Sequence, residues 1–219
     1  MLRSPNTQLL FPLENTALDY SGNARHGTVF GSGVYATKPN GGRCLYFDGT
    51  GDYVKTPSFG LSGTVVVFMC WVRCKKQPAA PDYQHFFMSP GTGHIEFFRL
   101  KNNDDLKLEY VVGTVSATNY FAAPFNDVWL CLCVAIDYTG KVAYFYRNGL
   151  LFSSVALGGT PVFPSGVSGK FIGSYSATQY LLTDGYLANV QLWTLATMPA
   201  AGQMLANVNR LMLGMNPIW

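Results

Sequence analysis

The 219-residue sequence predicts an all-β chain, folded as a two-sheet antiparallel β-sandwich with one short C-terminal helix. Three observations carry that expectation. Short stretches rich in Val, Ile, Phe and Tyr recur along the chain, separated by clusters of Gly, Pro, Asn and Asp. The 23 Gly and 12 Pro suit many tight turns rather than long helices. Charged residues make up 12 % of the chain against roughly a quarter in an average domain, while aromatics reach 15 %. Apolar content that high excludes disorder, and the length suits a single domain over residues 1–219.

Residues 9–13 read as a first strand, with Pro12 placing it at an edge or beside a bulge. The phrase Asp19-Tyr20-Ser21-Gly22-Asn23-Ala24-Arg25-His26-Gly27 is a polar turn leading into a strand. Leu45-Tyr46-Phe47-Asp48-Gly49-Thr50-Gly51-Asp52-Tyr53-Val54 is a strand, an Asp-Gly hairpin and a second strand. Residues 65–72 and 129–136 are β-branched and aromatic but do not alternate. A half-exposed antiparallel strand should alternate, so both faces of these two are covered, by a long loop, a helix or a partner. That is the strongest internal argument for assembly with other subunits. Further strands are expected at 84–89, 94–101, 106–112, 142–147, 150–155, 171–174 and 186–193, with Asn148-Gly149 as a tight hairpin. Residues 75–82 and 158–168 are Pro/Gly-rich loops. Only residues 199–213 carry helical spacing, with Pro199 in the first turn. An apolar tail follows at 214–219, whose Met215, Ile218 and Trp219 are candidate assembly contacts.

Net charge is +3 and no dense Lys/Arg stripe is present, which excludes a nucleic-acid footprint. The five cysteines, Cys44, Cys70, Cys74, Cys131 and Cys133, lack disulfide or zinc spacing and read as buried free thiols made in a reducing compartment. Cys131 and Cys133 share one strand face, and so do Cys70 and Cys74. Unbroken apolar runs such as 65–72 are too short to span a bilayer, and the N-terminus shows no apolar signal segment.

In order and spacing these phrases resemble the laminin-G-like, concanavalin A-like jelly-roll family across nearly the whole chain. The matching pieces are the turn at 19–23, Phe47 to Val54, the Trp-bearing strand at 65–73, and Trp129 to Gly140. They continue with the hairpin at 146–149, Ile172-Gly173 and the late strand at 185–193. The resemblance implies a jelly roll used chiefly for binding. It also implies a structural calcium site, for which Asp19, Asn23, Asp48 and Asn189 offer a reduced ligand set. The family's late strand commonly carries an acidic pair, where this chain has Ala188-Asn189. Asp19 and Asp48 read equally as turn residues bonding their own backbone.

Related jelly rolls include glycoside hydrolases, which need two carboxylates at a fixed separation. The only glutamates are Glu14, Glu96 and Glu109, and none has an Asp two residues on or a Glu five residues on. No other catalytic motif appears, and His26, His85 and His94 are scattered. Catalysis is therefore not expected, and a glycoside hydrolase is the remote alternative. Saccharides are held by aromatic rings together with hydroxyl and amide groups. The Tyr-rich loops at 81–85, 118–121 and 174–180 supply the candidates Tyr83, Tyr120, Tyr175, Gln179 and Tyr180. Two function classes follow: a structural or interaction protein at a virion or particle surface, working as a homo-oligomer or larger assembly, and an extracellular carbohydrate-binding adhesion module.

Overall fold

Among the described residues the turn-punctuated apolar stretches become sixteen strands, followed by one helix. In chain order these are β1 (Thr7–Phe11), β2 (Thr28–Phe30), β3 (Tyr35–Thr37), β4 (Arg43–Asp48), β5 (Tyr53–Phe59) and β6 (Val65–Cys74). Then come β7 (Tyr83–Ser89), β8 (His94–Leu100), β9 (Asp105–Val112), β10 (Val115–Ser116), β11 (Asn119–Ala122) and β12 (Trp129–Asp137). The last are β13 (Val142–Arg147), β14 (Leu150–Ala156), β15 (Ser168–Ile172), β16 (Thr183–Leu195) and α1 (Ala201–Met212). The computed structural model describes residues 6–39, 41–74, 83–91, 94–100, 105–112, 115–116, 119–122, 127–158, 161–177 and 182–212. Within these, the side chains of 83, 94, 98–100, 105–112, 115–116, 119–122, 183 and 211–212 are not described.

The strands form two antiparallel sheets. The first runs β14-β13-β12-β6-β16-β4-β3, with β1 also pairing β16. The second runs β10-β9-β8-β7-β15-β5-β2, with β11 also pairing β9. Between them lies the main core. Strand alternation sends Val66, Phe68, Cys70 and Val72 of β6 into it, and from the other sheet Val54, Phe87, Phe97 and Ile172 meet them. The Phe68 ring lies 4.7 Å from Phe87 and 5.6 Å from Phe97, so the two sheets are joined ring to ring. Each such aromatic pair adds about 1 kcal/mol beyond the area it buries.

The other face of the first sheet is apolar as well. Val65, Val67 and Met69 of β6 join Cys131, Cys133 and Ala135 of β12 in a second buried cluster, and Met204 and Val208 of α1 complete it. This explains the non-alternating strands: the cover is the chain's own helix, so their composition no longer argues for a partner. The helix begins at Ala201, two residues beyond Pro199, so the proline precedes the first turn rather than sitting in it. Arg210 in its last turn complements the helix dipole. All five cysteines are buried and free. Cys70 and Cys74 face the main core, Cys131 and Cys133 the cluster under α1.

Other expectations shift by a few residues. Strand β15 is 168–172 rather than 171–174, and Pro12 follows β1 instead of interrupting it. The segment at 118–121, read as a loop, overlaps strand β11, and β7 takes the expected strand 84–89 with Tyr83 added, so Tyr83 to His85 are strand rather than loop. Strand β3 and the bridge-length β10 carried no sequence signal. The hairpin at Asn148-Gly149 is as expected, with φ of 49° and 80°, the left-handed conformations that a two-residue turn requires. The loop expected at 75–82 and the tail at 214–219 lie outside the described residues.

Candidate functional site

The second sheet turns a different kind of face outward. Val54, Ile172, Phe87 and Phe97 point to the core, so Lys55, Phe171, Met88 and Glu96, the residues that follow or precede them, point away from it, while Phe86 joins the core at a bulge in β7. Register aligns Thr28, Lys55, Phe171, Met88 and Glu96 in one cross-strand row, continuing to Glu109 on β9. A second row begins with Phe30 opposite Tyr53 on β2 and β5. On the far side of the sheet another row joins His85, Phe98, Lys107 and Tyr120 on β7, β8, β9 and β11.

Two surfaces result. At the β2–β5 side the rings of Phe30 and Tyr53 stack 4.5 Å apart with planes 8° from parallel, and Phe171 lies 5.9 Å from Tyr53. Phe30, Thr28 and Lys55 are exposed there, and the Lys55 ammonium lies 5.4 Å from the centre of the Phe171 ring. At the β7–β8 side the groups are buried. His85 Nε2 lies 2.9 Å from Glu96 Oε2, with side-chain exposures of 2 % and 12 %. The Tyr175 ring meets His85 edge-on at 5.3 Å. Aromatic faces for C–H surfaces, beside polar groups for hydroxyls, are the chemistry that holds a saccharide.

The candidate tyrosines therefore come together in part. Tyr175 seats on His85, and Tyr120 occupies the His85 row by register. Tyr83 opens β7 opposite Leu100, two residues ahead of His85. Gln179, Tyr180, Met215, Ile218 and Trp219 lie outside the described residues. Sequence reasoning missed Phe30, Tyr53, Lys55, Phe171 and the His85–Glu96 pair. Their adjacency arises only from register across four separate hairpins and crossovers, although the outward Tyr53 and Lys55 are visible as alternation in β5.

The residues the resemblance implied for calcium do separate work. Asp19 is buried, and its Oδ1 accepts from the Leu10 and Ser21 backbone N–H while Oδ2 accepts from Ser21 Oγ and the Arg25 N–H. Asn23 Nδ2 donates to Thr7 O and to Ser21 Oγ, which pins the turn onto β1. Asp48 Oδ1 accepts from Thr50 N–H. Asn189 sits at a bulge in β16 with φ of 49°, and its Oδ1 accepts from Gln191 Nε2. Four protein donors thus occupy the Asp19 carboxylate that a cation would need. Among the described residues, no group of three or more His, Cys, Asp or Glu is placed to hold a metal ion.

One further group stands out. Lys170 of β15 is fully buried, donates to Ser168 Oγ at 3.2 Å, and lies 5.0 Å from the centre of the Phe59 ring. The Arg25 guanidinium packs 4.0 Å from the same ring. Burial, with Arg25 adding to it, pushes the Lys170 ammonium down to about 8. Among the described residues no helix is long and apolar enough to cross a membrane.

A family profile described as the concanavalin A-like lectin/glucanases superfamily matches residues 48–201. No curated protein matches the sequence. Solved structures share the fold at low identity. Domain 4 of AbnA, a GH43 extracellular arabinanase from Geobacillus stearothermophilus, solved with arabinotriose, is 16 % identical with a TM-score of 0.74, covering 94 % of this chain and 98 % of that one. The binding domain of Paraclostridial Mosquitocidal Protein 1 is 10 % identical at 0.75, covering 94 % and 52 %. The receptor-binding domain of botulinum neurotoxin mosaic serotype C/D is 11 % identical at 0.72, covering 95 % and 51 %. The chain thus spans about half the length of the toxin binding domains it resembles.

Proposed function

This chain belongs to the concanavalin A-like lectin/glucanases superfamily, and from that premise we propose that it is a non-catalytic binding module that takes a saccharide on the outer face of its second sheet. The observation that carries the reading is the contrast in cover. The outer face of the first sheet is sealed by α1, whereas the second sheet presents Phe30, Lys55 and Thr28 to solvent beside a buried His85–Glu96 pair. The similarity to a domain solved with arabinotriose supports it at the level of fold. The experiment is a glycan panel, arabino-oligosaccharides included, probed with the full chain and with Tyr175→Ala. Binding that falls at least about tenfold in the variant is expected, from loss of a ring at the site. No binding at all, or sugar released from a bound oligosaccharide, overturns the reading.

A second reading is favoured by a separate observation. Edge strand β14 exposes Leu150, Leu151 and Phe152 in succession, and Leu151 borders an apolar cleft of about 250 Å³ between α1 and β13. A module with such an edge suits a subunit of a virion or particle surface, presenting the saccharide face outward. Light scattering tests this: an oligomer that Leu150→Lys with Leu151→Lys converts to monomer supports it, and a monomeric wild type overturns it.

A further inference from the structure

The exposed half of the second sheet's outer face has a chemical bias that the binding reading leaves open. Phe30 is 39 % exposed, and the ring face turned from Tyr53 has no described ring against it. Thr28 and Lys55 stand opposite each other in the neighbouring row and are both exposed. Phe30 and Lys55 are diagonal neighbours on one face, a spacing of roughly 7–8 Å in antiparallel pairs. Among the described residues Lys55 makes no ion pair.

The carboxylates nearest in sequence are already engaged. Asp52 is buried and accepts from Ser32 N–H and Oγ and from Asp48 N–H, while Asp48 accepts from Thr50 N–H. On the same sheet face Glu96 is tied to His85. Lys55 is therefore an exposed cation at this corner, and none of these carboxylates pairs with it. It stands diagonal to the exposed Phe30 across the β2–β5 pair.

We infer that the Phe30–Lys55 corner is a site for sugars carrying a carboxylate, which deepens and rests on the saccharide-binding reading above. A pyranose laid on Phe30 covers its apolar C–H face, and a carboxylate on that ring comes within the sweep of the Lys55 stem. Thr28 Oγ supplies a hydroxyl beside it. Lys55 now lies along the Gly169 backbone, where an added Cβ would stand 3.2 Å from Lys55 Cε, so the absence of a side chain at 169 leaves the stem room to lie there.

The test is calorimetry on the full chain with two matched pairs of probes: trigalacturonic acid against its carboxyl-reduced trisaccharide, and 3′-sialyllactose against lactose. The acid member of at least one pair should bind about tenfold tighter, the margin of one charge-assisted hydrogen bond. Lys55→Met should erase that preference, Lys55→Arg should keep it, and Phe30→Ala should weaken both members of the pair. Equal binding of acid and neutral probes, or a preference that survives Lys55→Met, overturns the inference while the saccharide-binding reading stands. A full glycan panel without any ligand removes that reading instead.

Discussion

The two sheets obey the same rule of alternation and end with opposite outer faces. In the first, β6 reads VVVFMCWVRC, and its outward Val65, Val67 and Met69 are sealed under Met204 and Val208. In the second, β5 reads YVKTPSF, and its outward Lys55 stays in water beside the Phe30–Tyr53 stack. The difference teaches that composition marks which face is covered without saying by what. An unbroken apolar strand demands a cover, and the cheapest one is a helix already tethered to the neighbouring strand. A mixed face needs none and remains available for a ligand.

Removing the seal is the severest way to break that contrast. Met204 is fully buried, and truncating such a side chain to alanine costs about 3 kcal/mol in lost transfer energy and cavity. The denaturation midpoint of Met204→Ala should fall accordingly. Thiol labelling supplies the second readout, because burial pushes Cys131 up to about 12 and Cys133 well above its ordinary range. Loosening α1 should speed labelling at Cys131 and Cys133 and leave Cys70 and Cys74, on the opposite face of the same sheet, slow. An unchanged midpoint, or labelling of Cys70 in step with Cys131, would mean that α1 does not seal this face.

The contrast continues in the buried charge, since the second sheet holds a fully buried lysine, Lys170 of β15. Lys170 has a folded value of about 8 against 10.5 for a free lysine, so below pH 8 it is charged in both states and the burial penalty is complete. Between about 8 and 10.5 the unfolded chain binds the extra proton, and stability contributed at this site rises with pH. Lys170→Met should therefore be more stable than wild type by about 2 kcal/mol at pH 7, with the gap closing toward pH 10.5. The comparison must be made as a difference between the two proteins, because the buried thiols of Cys70 and Cys133 resist ionisation and lower stability above pH 9 in both. A gap that stays constant across that range would show that Lys170 is not held in a desolvated site.

How much of this was legible in the sequence follows from which forces are local. The β6 and β12 strands, the Asn148-Gly149 turn and the terminal helix announce themselves, because propensity and turn chemistry act over a few residues. Free, face-sorted cysteines follow from period two alone. Strand β11 hid because Asn119 and Ala122 lack strand propensity and it forms only by pairing β9. The ring stack of Phe30 with Tyr53 was invisible for the same reason: it is a property of register, which tertiary pairing sets. Sequence reading found Tyr175 but not the His85 beneath it, since a buried His–Glu pair has no local signature.

The smallest expected effect concerns the turn at 19–23, where the resemblance implied calcium. Asp19 already receives four donors, from Leu10, Arg25 and twice from Ser21, so both carboxylate oxygens are hydrogen-bonded without an ion. Arg25 adds a further positive charge nearby, its guanidinium bonded to Gln8 O and Oε1. A cation entering here would have to displace backbone N–H groups that hold β1 to the sandwich. Millimolar calcium, or its removal with a chelator, should therefore leave the melting temperature unchanged within error. Asp19→Asn should lower it instead, because an amide cannot accept at both positions, and the loss of charge-assisted bonds costs about 2 kcal/mol. A calcium-dependent rise in the wild type that disappears in Asp19→Asn would restore the metal and make this turn, rather than either sheet face, the ion-bearing part of the molecule.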